Sequence, residues 1–505
     1  MSPLRDHEPI VIDSFNGLWQ QGDIDNTPID HFTNTRNLKS VGLSAIGTRD
    51  GIGIHQSVVV PLSNVKRTYN FPTAIGNTLI VLVTNIITGF GEIYHVVNEN
   101  TVFGPLLTLN GMEDFAFLPY AGRGYISPFK TYVVGDLNVE KGLQNEFLYV
   151  YLGNGTAARK AAGNPLSGAL TIANGAAGNT DPGFHLFAFV AETNTGYLTP
   201  PGAITGFTTV AASSVSFTTV PTSGSPTIVR RHLVATKVIA SYNGNPTGYQ
   251  FFFVPNAIIE NNTDVFLNNI SFFDADLLDD ASHLLDNFSE IPAGVSLCLY
   301  HNRLILTTAF NDISVGLGSA IGEPEAISQI DGLIVVPPDG NPITNCQELR
   351  DILYVMKRAK TVSFVDNGDE PSSWPMNIVD YALGCSVHGI ATVIDSGSSS
   401  VDYLIICTYQ GVSLFNGRYI TPELSWKIED FWTSQDRNES RKIQILNASI
   451  QKELYIILPD RRLLVGNYSN GMDQKRIRWN VWFFVMGVNT ISIVNIDDLI
   501  FGADL

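Results

Sequence analysis

Acidic side chains are the commonest reactive groups in this chain, 48 Asp and Glu against 30 Lys and Arg. Sugar cleavage would need two of them facing each other across a pocket. Asp366, Asp369 and Glu370 cluster in Asp366-Asn367-Gly368-Asp369-Glu370-Pro371, but Asn-Gly and Pro mark that stretch as a turn. Asp274, Asp276, Asp279 and Asp280 form a second cluster that superficially resembles a calcium loop. It lacks the central glycine and the terminal bidentate Glu of such loops. The nine histidines show neither H-E-x-x-H nor H-x-H spacing and none lies near two cysteines, so no zinc site is expected. Gly316-Leu317-Gly318-Ser319-Ala320-Ile321-Gly322 is neither a dinucleotide fingerprint nor a P-loop, and no G-x-S-x-G elbow occurs. The expectation is a protein without catalytic residues, cofactor or metal.

Charge and cysteine usage narrow the partners. A net charge of −18 repels a phosphate backbone unless basic residues gather on one face. The basic clusters, Arg230-Arg231-His232, Arg461-Arg462 and Lys475 to Arg478, have apolar neighbours and read as strand-edge or turn charges. Cys298, Cys346, Cys385 and Cys407 have no C-x-x-C spacing, which predicts buried thiols in a reducing compartment. The first residues carry no apolar run with a cleavage site, and no stretch reaches the roughly 18 apolar residues of a membrane span.

The elements that would position any site are strands. Gly, Pro and β-branched residues interrupt almost every window long enough for three helical turns. Short apolar runs separated by polar or glycine turns recur instead, the mark of antiparallel hairpins. Leu79–Val83, Phe115–Leu118 answered by Tyr125-Ile126, and Phe147–Leu152 turning at Gly153-Asn154-Gly155 are the clearest in the first half. In the second half, runs opening at Leu304, Leu353, Leu404, Leu454 and Ile491 are spaced 49, 51, 50 and 37 residues apart. A repeat of about 40–50 residues with four strands per unit is the period of propeller blades. An assortment of β-sandwiches is the alternative. Glu323, in Gly322-Glu323-Pro324, is explained equally well by blade geometry as by catalysis.

Residues 154–183 are Gly-, Ala- and Asn-rich and read as a linker or long surface loop. Beyond them, alternating strands with turns every 8 to 12 residues point to a small sandwich. The expected fold is all-β: a β-propeller of six to eight blades with an inserted immunoglobulin/fibronectin-III-like β-sandwich. Its divisions are 1–183 (N-terminal strands and first blades), 184–285 (insert) and 286–505 (remaining blades).

Several motifs resemble one family. Phe15-Asn16-Gly17-Leu18-Trp19, Asn37-Leu38 and Gly47-Thr48-Arg49-Asp50-Gly51 resemble the opening of phage tail proteins, a leader followed by a G-x-R-x-G turn. The stretch from Glu192-Thr193 to Thr199-Pro200-Pro201, with its exit at Phe272 to Asp276, looks like their sandwich module. His301-Asn302-Arg303-Leu304, then Ser319 to Pro324, resembles their N-R-L … S-x-x-G-x-P blade, and Gly384-Cys385-Ser386 and Gly411–Gly417 continue the pattern.

The family is the tail nozzle, or packaged-DNA stabilisation protein, of short-tailed bacteriophages; a propeller-bearing tail component of a long-tailed phage would share these motifs. The resemblance implies a virion structural protein of the tail, assembled in the host cytoplasm. Its partners would be further copies of itself in a hexameric tube, the adaptor or connector ring, and tail fibres, spikes or needle. DNA would be retained by it and conducted through it at ejection without sequence-specific binding. Asp274, Asp276, Asp279 and Asp280 are then candidate lumen or interface acids, or a solvated loop. Trp426, Trp432, Trp479 and Trp482 are candidate interface anchors, or inter-blade core. A carbohydrate-binding tail propeller and a propeller glycosidase remain the functional alternatives.

Overall fold

A computed structural model describes residues 63–493, apart from short interruptions of which 394–402 is the longest, and the strands Leu38–Val41, Ala45–Thr48 and Leu499–Gly502. The leader from Phe15 therefore lies largely outside the described residues.

The chain is a β-propeller. Among the described residues, five four-stranded antiparallel sheets, at 63–109, 296–335, 343–380, 390–420 and 444–482, and one of five strands, at 114–160, follow one another around the ring, numbered here in chain order as blades one to six. Blade two carries an additional strand, Leu137–Gly142, on the extended arm of Arg123–Val134. A hairpin of Thr490–Ile493 with Leu499–Gly502 stands in the seventh place, its first strand touching the inner strands of both blade six and blade one. Inner strands meet in the same way from blade one to two, two to three, three to four and five to six. Blades four and five are joined by Thr344 and Asn345 side chains donating to the carbonyls of Cys385 and Val387, both at 2.7 Å.

The repeat read from the sequence is the second strand of each blade: Leu304, Leu353, Leu404 and Leu454 lie in Arg303–Thr307, Ile352–Lys357, Tyr403–Cys407 and Glu453–Ile457. Neighbouring side chains on a strand point to opposite faces. In blade three, Leu304 and Leu306 pack toward blade two and Ile305 toward blade four. In blade four, Leu353 and Val355 face blade three while Tyr354 and Met356 face blade five. Both faces being buried, these strands are apolar without alternation, the pattern otherwise seen in strands covered on two sides. The short last interval, ending at Ile491, marks the inner strand of the closing hairpin, hence one strand earlier in the repeat.

Between blades two and three the chain leaves the ring. A sheet of Thr171–Ala177, Ser213–Thr219 and Leu267–Ile270 faces one of Thr205–Thr209, Gly183–Thr193, Ile228–Ala235 and Phe252–Ile259. The two share a core that includes Phe187, Phe189, Val215, Phe217, Leu233 and Phe272. This corrects the expected boundary at 184: the first strand, Thr171–Ala177, lies within the segment read as a linker. Its sequence, TIANGAA, hides the strand because small residues are needed where it crosses its neighbour; a side chain on Gly175 would meet Ser214 Oγ at 2.4 Å. The insert is tied to the ring by a buried ion pair. Arg159 of blade two meets Glu325 beside blade three at 2.9 Å, and Glu325 also accepts from Thr195 of the insert at 2.8 Å.

Candidate functional site

The inner strands of a propeller converge on its axis, and here they bring four polar side chains together. Arg67 and Asp114 occupy the inner strands of blades one and two, 47 residues apart, about one blade period. His388 precedes the inner strand of blade five and Gln444 opens that of blade six. The Arg67 guanidinium donates to Asp114 through Nε (3.0 Å to Oδ1) and Nη2 (2.6 Å to Oδ2) and to Gln444 Oε1 through Nη1 at 2.8 Å. His388 Nε2 lies 2.9 Å from Asp114 Oδ2. Gln444 in turn donates to the Ile491 carbonyl at 3.0 Å, and Thr68 meets Thr490 and Ser492 of the closing hairpin. Blades one, two, five, six and seven are thus joined through one network.

Burial works against every charge in it, and pairing decides which survive. Desolvation would raise the Asp114 carboxyl, but Arg67 and then His388 hold it well below the usual carboxylate range. Burial, then the Arg67 charge, lowers His388, so the ring is neutral at neutral pH. Burial, with the Asp114 charge behind it, raises the Tyr69 hydroxyl; that hydroxyl donates to the Phe115 carbonyl at 3.0 Å and sits 3.3 Å from His388 Nδ1. Tyr69, His388 and Asp114 therefore stand in the order of nucleophile, base and orienter. The carboxylate is paired with Arg67, and burial keeps the proton on the phenol.

This axial bar of side chains borders two hollows. One, of about 290 Å³, is lined by Lys66, Glu113, Lys130, Glu140, Lys442 and Arg461 among others, with Arg67 and Asp114 also in its wall. The other, of about 240 Å³, is lined by Tyr69, Phe117, Ser296, Asn345, Gln347 and Ile390 among others, and His388 borders both.

The residues singled out from sequence lie elsewhere. Asp274, Asp276, Asp279 and Asp280 follow the insert's last strand, Leu267–Ile270, in chain order. Asp274 accepts from the Val238 amide and Asp276 from the Phe273 amide, both at 2.9 Å, and Asp280 from the Ser282 amide at 2.8 Å; Asp279 is exposed. Of the two readings of the tryptophans, interface anchors or inter-blade core, three of the four take the second, which corrects the interface reading for them. Trp432 and Trp479 are buried in the core between blades five and six, and Trp482 in the one between six and seven, where their large rings bury much apolar surface. Trp426 alone of the four is half-buried. All four cysteines are buried and free.

Asp366, Asp369 and Glu370 form the turn expected of them, with the Gly368 amide donating to Asp366 at 2.8 Å and Arg303 reaching Glu370 at 3.4 Å. Glu323 sits in the turn after blade three's third strand, bridged to Ala320. Of the basic clusters, Arg231 is buried with its guanidinium on the carbonyls of Pro221, Asn261 and Asp264. The axial residues were missed because each is a lone polar residue in or beside an apolar strand. The only signal was that Arg67 and Asp114 recur one blade apart.

No family model matches this chain, and no curated protein matches it. Among solved structures, Hsv2 from Kluyveromyces lactis is 12% identical, with 83% of this chain and 97% of that one covered and a TM-score of 0.27. Apo AztD from Citrobacter koseri is 9% identical, covering 91% and 92%, with a TM-score of 0.29.

Proposed function

We propose that this chain is a structural component of a phage tail, a nozzle subunit whose copies form a ring, expected to be a hexamer, extending the head-to-tail channel. In this reading it docks under the adaptor ring, carries tail fibres, spikes or a needle below, retains packaged DNA and conducts it during ejection.

The observation that supports it best is the axial bar. The centre of the propeller, where inner strands could present groups to a ligand, is occupied by Arg67, Asp114, His388 and Gln444, whose hydrogen bonds are spent on one another, on the Ile491 carbonyl and on Tyr69. Such a subunit suits a rigid wall, with DNA passing between copies and never through the propeller. Charge agrees: six copies would carry about −108, and an acidic lining discourages DNA from adhering during passage.

The test is assembly. Purified chain, alone and with the portal and adaptor rings, is examined by light scattering and cryo-electron microscopy. A six-fold ring with permanent interfaces, each above roughly 2,000 Å² in total, is expected. A chain that stays monomeric with and without the rings, or that releases sugar from host glycans, overturns the proposal.

A further inference from the structure

Two hairpin tips on adjacent blades bring a histidine and two carboxylates together, away from the axis. His301 and Asn302 form the two-residue turn between the first and second strands of blade three, both with positive φ. Arg350 and Asp351 form the equivalent turn of blade four, again both with positive φ. Equal positions in successive blades project in the same direction, so the tips lie side by side. Glu348, on the strand entering the second turn, completes the group: one ligand atom from each of His301, Glu348 and Asp351 falls within 4.8 Å of the others.

The imidazole is oriented from behind. Its ring stacks on Tyr300 with centroids 4.2 Å apart, and Nδ1 lies 3.1 Å from Oδ2 of Asp366, a residue outside the trio whose side chain is only 9% exposed. Asp366 is itself fixed, its amide bonded to the Tyr300 hydroxyl at 2.8 Å. A carboxylate on Nδ1 places the proton there and leaves Nε2 as a lone-pair donor, the arrangement that supports metal-bound histidines. Nε2 faces Asp351, 3.9 Å from Oδ1. Ligands about 2.1 Å from one ion stand about 3–3.5 Å apart, so the donors must close by only a fraction of an ångström to somewhat over one. The Asp351 side chain, 90% exposed, is free to turn inward.

We infer that His301, Glu348 and Asp351 bind a first-row divalent transition-metal ion that staples blade three to blade four. One imidazole nitrogen with two carboxylates suits Zn²⁺ or Mn²⁺ and leaves positions for water, whereas Ca²⁺ and Mg²⁺ prefer all-oxygen sites. The ion's two positive charges match the two carboxylates, on a protein whose charge of −18 draws cations in general. The inference is independent of the proposed role in a tail.

The experiment titrates ZnCl₂, and separately MnCl₂, into chelator-treated full-length chain by calorimetry, with Co²⁺ absorption reporting imidazole coordination. One ion per chain is expected. Asn tolerates positive φ, so His301→Asn and Asp351→Asn keep both turns; each should weaken binding by tenfold or more, and Asp351→Asn, at an exposed side chain, should do so with an unchanged melting temperature in chelator. Asp366→Asn should weaken it about 10–100-fold through loss of the orienting bond. Absence of binding to the wild-type chain overturns the proposal, as does binding that persists undiminished in both turn variants. Should either turn variant misfold, Glu348→Gln decides on the same criterion.

Discussion

Arg67 Nη2 and Asp114 Oδ2 meet 2.6 Å apart between the inner strands of neighbouring blades one and two, both side chains largely withdrawn from water. Removing either partner leaves the other charge buried, which typically costs about 3–5 kcal/mol. Arg67→Met and Asp114→Leu should each destabilise by that order. The double variant should recover a large part of the loss, because no orphaned charge remains. Denaturant unfolding of the four proteins as a double-mutant cycle measures it.

Glu325 gives the second buried pair and the tie to the insert: besides Arg159 and Thr195 it accepts the Ala162 amide at 2.8 Å. Glu325→Ala should cost about 3 kcal/mol or more by stranding Arg159. It should also expose the segment around Thr195 to limited proteolysis, with cleavage there appearing before cleavage within the blades. Equal protease resistance of variant and wild type would contradict the tie.

Acid should loosen the ring in two stages. His95 lies between Tyr151 (2.7 Å) and Thr78 (2.8 Å), and burial lowers its pKa from 6.5 to about 4. The unfolded chain then binds this proton more readily than the folded one, so the stability present above about 6.5 declines as pH falls through about 4. The neutral His388 contributes in the same direction. Asp114, held low by Arg67, adds a further loss below the ordinary carboxylate range. Melting temperature followed from pH 7 down to pH 2 should show both stages, and His95→Gln should flatten the upper one.

Trp479 and Trp426 separate the core role from a surface one. Trp479 is fully buried and donates to the Leu424 carbonyl at 3.1 Å. Trp479→Ala should cost about 3–5 kcal/mol, and Trp426→Ala, from a half-buried site, distinctly less. Thermal unfolding of both variants reads the difference.

Gly384 allows blades four and five to approach: a Cβ there would sit 1.8 Å from the Lys357 carbonyl oxygen, which accepts the Cys385 amide at 3.0 Å. Gly384→Ala should destabilise by about 1–3 kcal/mol or more through overpacking. Gly248→Ala, where a Cβ meets nothing within 4 Å, should change stability by less than about 0.5 kcal/mol. Parallel denaturation curves compare them.

The legible part of the fold was the part written in contiguous residues. Leu304-Ile305-Leu306 and its counterparts at 353, 404 and 454 announce strands buried on both faces, and their even spacing announces blades. The turn at 366–371 was readable from Asn, Gly and Pro, whose backbone preferences act locally. The strand at Thr171–Ala177 was not, since its side chains had to be small for a neighbour far along the chain. The burial of Trp432, Trp479 and Trp482 was one of the two readings open in the sequence, and their surroundings in the closed ring chose it over an interface role.

By itself, the sequence determined that strands form, how long each blade is, and that the whole carries strong negative charge, because periodicity, turn chemistry and composition act over a few residues or over all of them. Only the tertiary structure decided which polar residues meet. Arg67 and Gln444 are 377 positions apart and bond at 2.8 Å because closing the ring returns the last blades to the first. His301 reaches Asp351 because equal turns of adjacent blades point the same way. Such meetings depend on the order and tilt of the sheets, a property of the closed ring that no local stretch of residues contains.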